Sequence, residues 1–199
     1  VVRLVAVMGR RQGHLFHPVE GGTANSFLGH GPVFRDFNFA QDEQAVEDLL
    51  AMRLPILLVP YEAAREMQVT DIMLAGMTTR GGAARWVAAR SPAWLGYWEE
   101  EIGVAGFYPF DLIAAAFAVR PSLLLCGSAE AWVGRDTGVF GLLGRRGLFV
   151  APAGNRDGAR PVTYCPDLSD RADDWLAARL KGRQPPIQLA TSVPTWLAA

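Results

Sequence analysis

The chain contains only two cysteines, carries no excess of basic charge and has no long apolar run. Cys126 and Cys165 do not have the spacing of metal ligands, so we expect buried or free thiols in a reducing compartment, which favours a cytoplasmic location. A net charge of -1 and a pI near 6.3 argue against nucleic acid as a partner. Asp111 and Arg120 bracket the most apolar stretch, which is shorter than the roughly 20 residues of a membrane span. We therefore expect a chain that spans no membrane.

The length and apolar content favour one folded domain. At 199 residues and 50% hydrophobic composition, the chain can bury a substantial core. We assign residues 1–183 to this domain and residues 184–199 to a tail, because Pro185 and Pro186 exclude regular structure there. The chain starts at Val1, directly in an apolar strand, and we expect further sequence upstream.

Apolar periodicity predicts an α/β fold with a mostly parallel sheet flanked by helices. Strands from Leu4 to Met8 and from Ile56 to Val59 are apolar on both faces, which is typical of buried parallel strands. An amphipathic helix follows Asp42, a candidate N-cap. A second helix, from Phe110 to Val119, starts after Pro109. Residues 122–126, 147–151 and 161–165 are predicted as short strands of a small C-terminal meander, and residues 167–180 as a closing helix.

Asp36 and Asn38 form the most informative motif. Side chains two residues apart in an extended segment lie on one face, so this carboxylate and this carboxamide are able to hold two neighbouring hydroxyl groups of a sugar. Phe37, between them, is expected to turn inward and anchor the pair. If the two residues instead start a helix, they are ordinary cap residues.

The order of motifs resembles the C-terminal half of the nucleoside hydrolases. The matching features are a strand ending in Met8-Gly9, the Asp36-Phe37-Asn38 triplet, an acidic helix, a Leu-Val-Pro strand and a proline-opened alanine-rich helix. The resemblance implies a Rossmann-like nucleoside-hydrolase fold in which the triplet binds ribose. It also implies that His30, at a position that faces ribose in the family, belongs to the binding site with Asp36 and Asn38.

Catalysis in that family, as the resemblance implies, needs a calcium ion held by an N-terminal aspartate cluster. This chain has no such cluster, so calcium is expected only if an upstream segment supplies one. The family's His-Asp-Pro, which provides a leaving-group acid and a metal ligand, is replaced by Phe107-Tyr108-Pro109, and the usual glutamate of the triplet is the shorter Asp36. We therefore assign no catalytic and no metal-binding residue. His14 and His17 lack a third ligand and are expected on a loop surface.

Three functions fit these observations. The first is a nucleoside-hydrolase-like pseudoenzyme that serves binding or assembly, with a nucleoside, its ribose, a partner chain or a second copy as partner. The second is a calcium-dependent hydrolase of the N-glycosyl bond of ribonucleosides whose metal-binding half lies on another segment. The third is a plain doubly wound domain with no relation to sugars.

Overall fold

The computed structural model describes residues 3–11, 36–135 and 146–181, apart from the side chains of Asp173 and Lys181. The predicted domain and tail boundaries extend outside these residues and stay predictions, and His14, His17 and His30 also lie outside them. The strands are β1 (Leu4–Ala6), β2 (Arg10–Arg11), β3 (Ile56–Leu58), β4 (Leu124–Arg135), β5 (Arg146–Pro152) and β6 (Arg160–Leu168). The helices are α1 (Phe37–Gln41), α2 (Glu43–Ala51), α3 (Tyr61–Ala64), α4 (Asp71–Thr78), α5 (Gly82–Arg90), α6 (Pro92–Tyr97), α7 (Phe110–Val119) and α8 (Ala172–Lys181), with a π-helical turn at Trp98–Ile102 and a 3-10 turn at Pro121–Leu123.

The six strands form one mixed sheet in the order β1-β3-β6-β4-β5-β2. Strand β3 runs parallel to both β1 and β6, and β2 runs parallel to β5. Strand β4 is antiparallel to both of its neighbours. The predicted α/β class and the parallel pairing of the first and third strands are confirmed. The three C-terminal strands, however, are longer than predicted and belong to the main sheet, with β4 between β5 and β6.

The sheet is curled, because its two edge strands, β1 and β2, belong to one short stretch of the chain. Strands β1 and β2 occupy opposite edges, yet the path from Ala6 to Arg10 spans at most about 14 Å. Six flat strands would place those edges about 24 Å apart. Residues 4–11 therefore run as one interrupted strand, which pairs first with β3 and then with β5.

Apolar side chains cover both faces of the sheet. Leu57 and Leu58, adjacent in β3, point to opposite sides and enter different core clusters. One cluster packs α7 and α8 against the sheet, and its members include Val59, Ile113, Phe117, Leu168 and Leu176. The other lies against α1 and α2, and its members include Ala6, Phe39, Val46, Leu148 and Val150. No helix in the described residues is long and apolar enough to cross a membrane.

Local signals place two helices correctly. Asp42 caps α2 by accepting a hydrogen bond from Ala45 N at 2.9 Å. Helix α7 starts after Pro109 and ends before Pro121, as predicted. The closing helix α8 begins at Ala172 rather than at residue 167, because β6 continues as far as Leu168, which pairs with Leu124.

The two cysteines form a disulfide, so the prediction of free or merely buried thiols is wrong. Cys126 and Cys165 lie on the adjacent antiparallel strands β4 and β6, 39 residues apart in sequence, with sulfur atoms 2.07 Å apart. Pairing of β4 with β6 brings the two side chains together, and this pairing is not visible in the spacing of the cysteines. The disulfide links two central strands of the sheet.

Candidate functional site

The interruption between β1 and β2 is the structural centre of the candidate site. The chain changes partner strand at Val7-Met8-Gly9, and Gly9 adopts a left-handed conformation with φ +89°. A Cβ atom at this glycine would lie 3.3 Å from side-chain atoms of both Leu58 and Val150. Main-chain groups at such a break leave the sheet ladder and need other hydrogen-bond partners.

Asp36 supplies one of these partners. Its Oδ2 accepts a hydrogen bond from Gly9 N at 2.7 Å, and its Oδ1 accepts one from Phe39 N at 3.2 Å. The second bond makes Asp36 the N-cap of α1. One carboxylate therefore joins the break in the strand to the start of a helix.

Burial is the largest influence on the pKa of this carboxyl group. Burial raises the pKa of Asp36 above its ordinary value, whereas the hydrogen bonds from Gly9 and Phe39 and the positive charge of Arg10 act in the opposite direction. The desolvation penalty on the charged form is thus larger than the compensation that these donors provide.

Asn38 binds the same break from the first turn of α1. Its Nδ2 donates to Val7 O at 2.7 Å, and the side chain is exposed. The expected extended segment is wrong, since Asp36 caps a helix that already contains Asn38. Phe37 is not an inward anchor either, because it is 70% exposed. The side chains of Asp36 and Asn38 nevertheless bind neighbouring main-chain atoms at the strand break, Gly9 N and Val7 O.

A second polar group at the same edge of the sheet was not identified from the sequence. Glu62, in α3 directly after β3, is 7% exposed, and its Oε1 accepts a hydrogen bond from the Tyr164 hydroxyl at 3.1 Å. Arg11, in β2, lies 3.4 Å from the same oxygen. Burial, followed by the negative charge of Glu62, raises the pKa of Tyr164 far above its ordinary value. The available signal was a carboxylate in the short segment that follows a buried parallel strand.

These groups gather at the carboxyl ends of parallel strands. The register of β1, β3 and β6 aligns Ala6 with Leu58 and Leu58 with Tyr164. Gly9 follows shortly after β1 and Glu62 shortly after β3, so both residues lie at the carboxyl edge of the sheet. Ligands bind outside this edge both in open α/β sheets and in closed α/β barrels. We name Asp36, Asn38, Glu62, Tyr164 and Arg11 the carboxyl-end group.

Phe107 and Tyr108, the two positions that correspond to His and Asp of the family's His-Asp-Pro by the resemblance, lie in a packed aromatic region. Tyr108 is 6% exposed and packs edge-on against Trp98 and Tyr61, with ring centroids 4.8 and 5.9 Å away. Phe107 forms a two-way backbone bridge with Val69. This segment therefore contributes to an aromatic core cluster.

The described residues do not fit a calcium ion. Within residues 3–11, 36–135 and 146–181, no group of three or more His, Cys, Asp or Glu side chains converges as a metal site would require. The half-buried Asp36 and the buried Glu62 each accept hydrogen bonds from donors of the protein itself.

The chain has a nucleoside-hydrolase-like fold. It is similar to a plant nucleoside hydrolase, with a TM-score of 0.60 and 18% identity over 75% of this chain and 48% of that one. It is also similar to a purine-preferring ribonucleoside hydrolase from Gardnerella vaginalis, with a TM-score of 0.58 and 16% identity over 75% of this chain and 47% of that one. The chain spans about half the length of both structures. No protein-family model and no curated protein matches the sequence.

Proposed function

We propose that this nucleoside-hydrolase-like domain does not hydrolyse nucleosides by itself and serves in binding or assembly. The observation that carries the proposal is the engagement of Asp36 and Asn38. Both oxygens of Asp36 accept main-chain hydrogen bonds, and the Asn38 amide donates to Val7 O. The residues that resemble a ribose-binding triplet hold the strand break to α1.

The surroundings of Tyr108 support the same proposal. A general acid has to reach the leaving group of its substrate, and Tyr108 is instead enclosed by aromatic rings. Asp111 is exposed in the first turn of α7 and does not replace it.

An assay of sugar release tests the absence of hydrolysis. Purified chain is incubated with inosine or uridine and calcium, and the released ribose is measured as reducing sugar. We expect no release above the control without protein. Release that scales with protein concentration and stops when a chelator is added would contradict the proposal.

Calorimetry tests what the candidate residues bind. We expect no heat of binding for ribose or inosine, since the polar atoms of Asp36 and Asn38 are used within the domain. His30, the third residue that the resemblance assigns to ribose, lies outside the described residues. If the chain binds ribose and Asp36→Ala removes this binding without loss of stability, the pair forms a sugar site and the proposed structural role is wrong.

A second candidate is a calcium-dependent ribonucleoside hydrolase that uses a metal-binding half from elsewhere. The observation in its favour is that the chain covers 48% and 47% of the two similar structures. Intact-mass analysis of the natural product, followed by the same ribose assay, separates the candidates. A longer product that releases ribose supports the hydrolase, and an inactive natural product supports the binding domain.

The disulfide bears on location. Disulfides persist mainly in oxidising compartments, so the Cys126–Cys165 pair favours such a compartment over the cytoplasm that we expected from the sequence. Titration of thiols in the denatured natural product, before and after reduction, measures whether the pair is oxidised.

A further inference from the structure

An exposed aromatic and charged stripe runs along one helical segment of the chain. Residues 83–102 continue as a right-handed helix through Pro92, because Ser91 N donates to Val87 O and Leu95 N donates to Ser91 O. The buried face of this segment consists of Ala88, Ser91, Leu95, Trp98 and Ile102, at helical spacings of three and four.

The opposite face carries large exposed side chains. Trp86, Trp94 and Tyr97 are 59, 48 and 42% exposed, so these aromatic side chains lie outside the core. They lie with Arg90 and Glu101 at spacings of four, four, three and four, and therefore share one face of the helix. We name these five residues the helical stripe.

The stripe is ordered before any partner binds. The Arg90 guanidinium lies 4.1 Å from the centroid of the Trp86 ring. The rings of Trp94 and Tyr97 stack with centroids 5.3 Å apart, and Trp94 also meets the buried Trp98 edge-on at 6.1 Å. Because these side chains already hold one another, a partner would order few additional rotamers. Exposed Trp, Tyr and Arg side chains of this kind are enriched among the residues that dominate protein interfaces.

The arrangement of charge and aromatic residues is self-complementary. Arg90 and Glu101 have the same midpoint in sequence as Trp94 and Tyr97, between Leu95 and Gly96. A two-fold axis through this midpoint would therefore place each Arg90 opposite Glu101 of the second copy, and each Trp94 opposite Tyr97 of the second copy. Glu101 is exposed and makes no ion pair with the described residues. Isologous dimers need this kind of symmetric complementarity.

We propose that two copies of this chain associate through the helical stripe, packed antiparallel about a two-fold axis near Leu95. The aromatic pairs form the centre of the contact, and the Arg90 and Glu101 pairs lie at its two ends. The proposal is independent of any enzymatic or sugar-binding role of the carboxyl-end group.

Sedimentation velocity of the full chain, at concentrations on the order of 1 to 100 μM, tests the association. We expect a species of about twice the 21.6 kDa chain mass. Trp94→Ala should raise the dissociation constant at least about tenfold, as expected for truncating a central aromatic residue. Val119→Ala, at a 65% exposed position on α7, is the matched control and should leave it unchanged. Circular dichroism verifies that each variant is folded.

Charge reversal tests the geometry. Arg90→Glu and Glu101→Arg should each weaken self-association about tenfold or more, because each places like charges together at both ends of the contact. An equimolar mixture of the two variants should associate again, since each reversed end then faces an opposite charge. A chain that is monomeric at all concentrations would overturn the proposal. So would a dimer that tolerates all three substitutions, or a mixture that does not associate.

Discussion

Replacement of Asp36 by alanine tests the structural role of the acid–amide motif most directly. The substitution removes the cap of α1, which is worth about 1 kcal/mol. It also strands the Gly9 amide at the strand break, and loss of a partner for a buried donor costs about 1–3 kcal/mol. Gly9 is buried but Asp36 is only half-buried, so water that enters in place of the carboxylate compensates some of the second loss. We expect the free energy of unfolding to fall by about 2 kcal/mol.

Asp42→Ala is the matched control for this experiment. Asp42 also caps a helix, but it is exposed and its side chain accepts only from Ala45 N. This variant should lose about 1 kcal/mol. For a chain of this size, the corresponding decreases in Tm are about 4–8 °C for Asp36→Ala and about 2–4 °C for Asp42→Ala. Urea and thermal unfolding followed by tryptophan fluorescence measure both. Equal losses in the two variants would refute the role of Asp36 at the strand break.

Three further predictions follow from buried or cross-linked groups. Because the pKa of Asp36 is raised in the folded state, the folded state binds the proton more tightly, and the contribution of Asp36 to stability is lost as pH rises through the folded pKa. Urea titrations of the chain and of Asp36→Asn measure this effect. As pH is lowered from neutral towards 4, the unfolding free energy of the unmutated chain should increase relative to that of the variant. A difference between the two that is independent of pH would contradict the prediction. Tyr164→Phe removes a hydrogen-bond donor to the buried carboxylate of Glu62 and should lower the free energy of unfolding by about 1–2 kcal/mol, measured in the same titrations. An unchanged free energy of unfolding would argue against the carboxyl-end group. Cys126→Ser removes a disulfide that spans 39 residues and should cost about 4 kcal/mol by loop-closure entropy, whereas reducing agent should destabilise the unmutated chain only.

The sequence predicted those parts of the fold that depend on local signals. Helix α7 has the expected limits because prolines 109 and 121 flank it. The parallel pairing of β1 and β3 follows from their apolar residues on both faces. Gly76 has a weak helix propensity but lies inside α4, because the neighbouring Leu74 and Met77 pack in the core.

Other features depend on contacts between distant residues. The partner of Asp36, Gly9, lies 27 residues away, and the position of β4 between β5 and β6 is a pairing choice that no local window contains. A helix as short as α1 also has too few residues to show a period. For this reason the Asp36 and Asn38 pattern was consistent with both an extended segment and a helix cap.

The order of the strands in the sheet has a consequence for how the polypeptide acquires its structure during synthesis. Strand β6 is the last strand among the described residues, yet it lies between β3 and β4 and pairs with both. Until residues 160–168 have left the ribosome, the facing edges of β3 and β4 have no strand between them, and open edges of this kind favour aggregation. Insertion of β6 closes the gap, and the disulfide between β4 and β6 can form only after that step. We expect a nascent chain that ends before β6 to need a chaperone, and protection of β3 from hydrogen exchange to appear only once β6 is present.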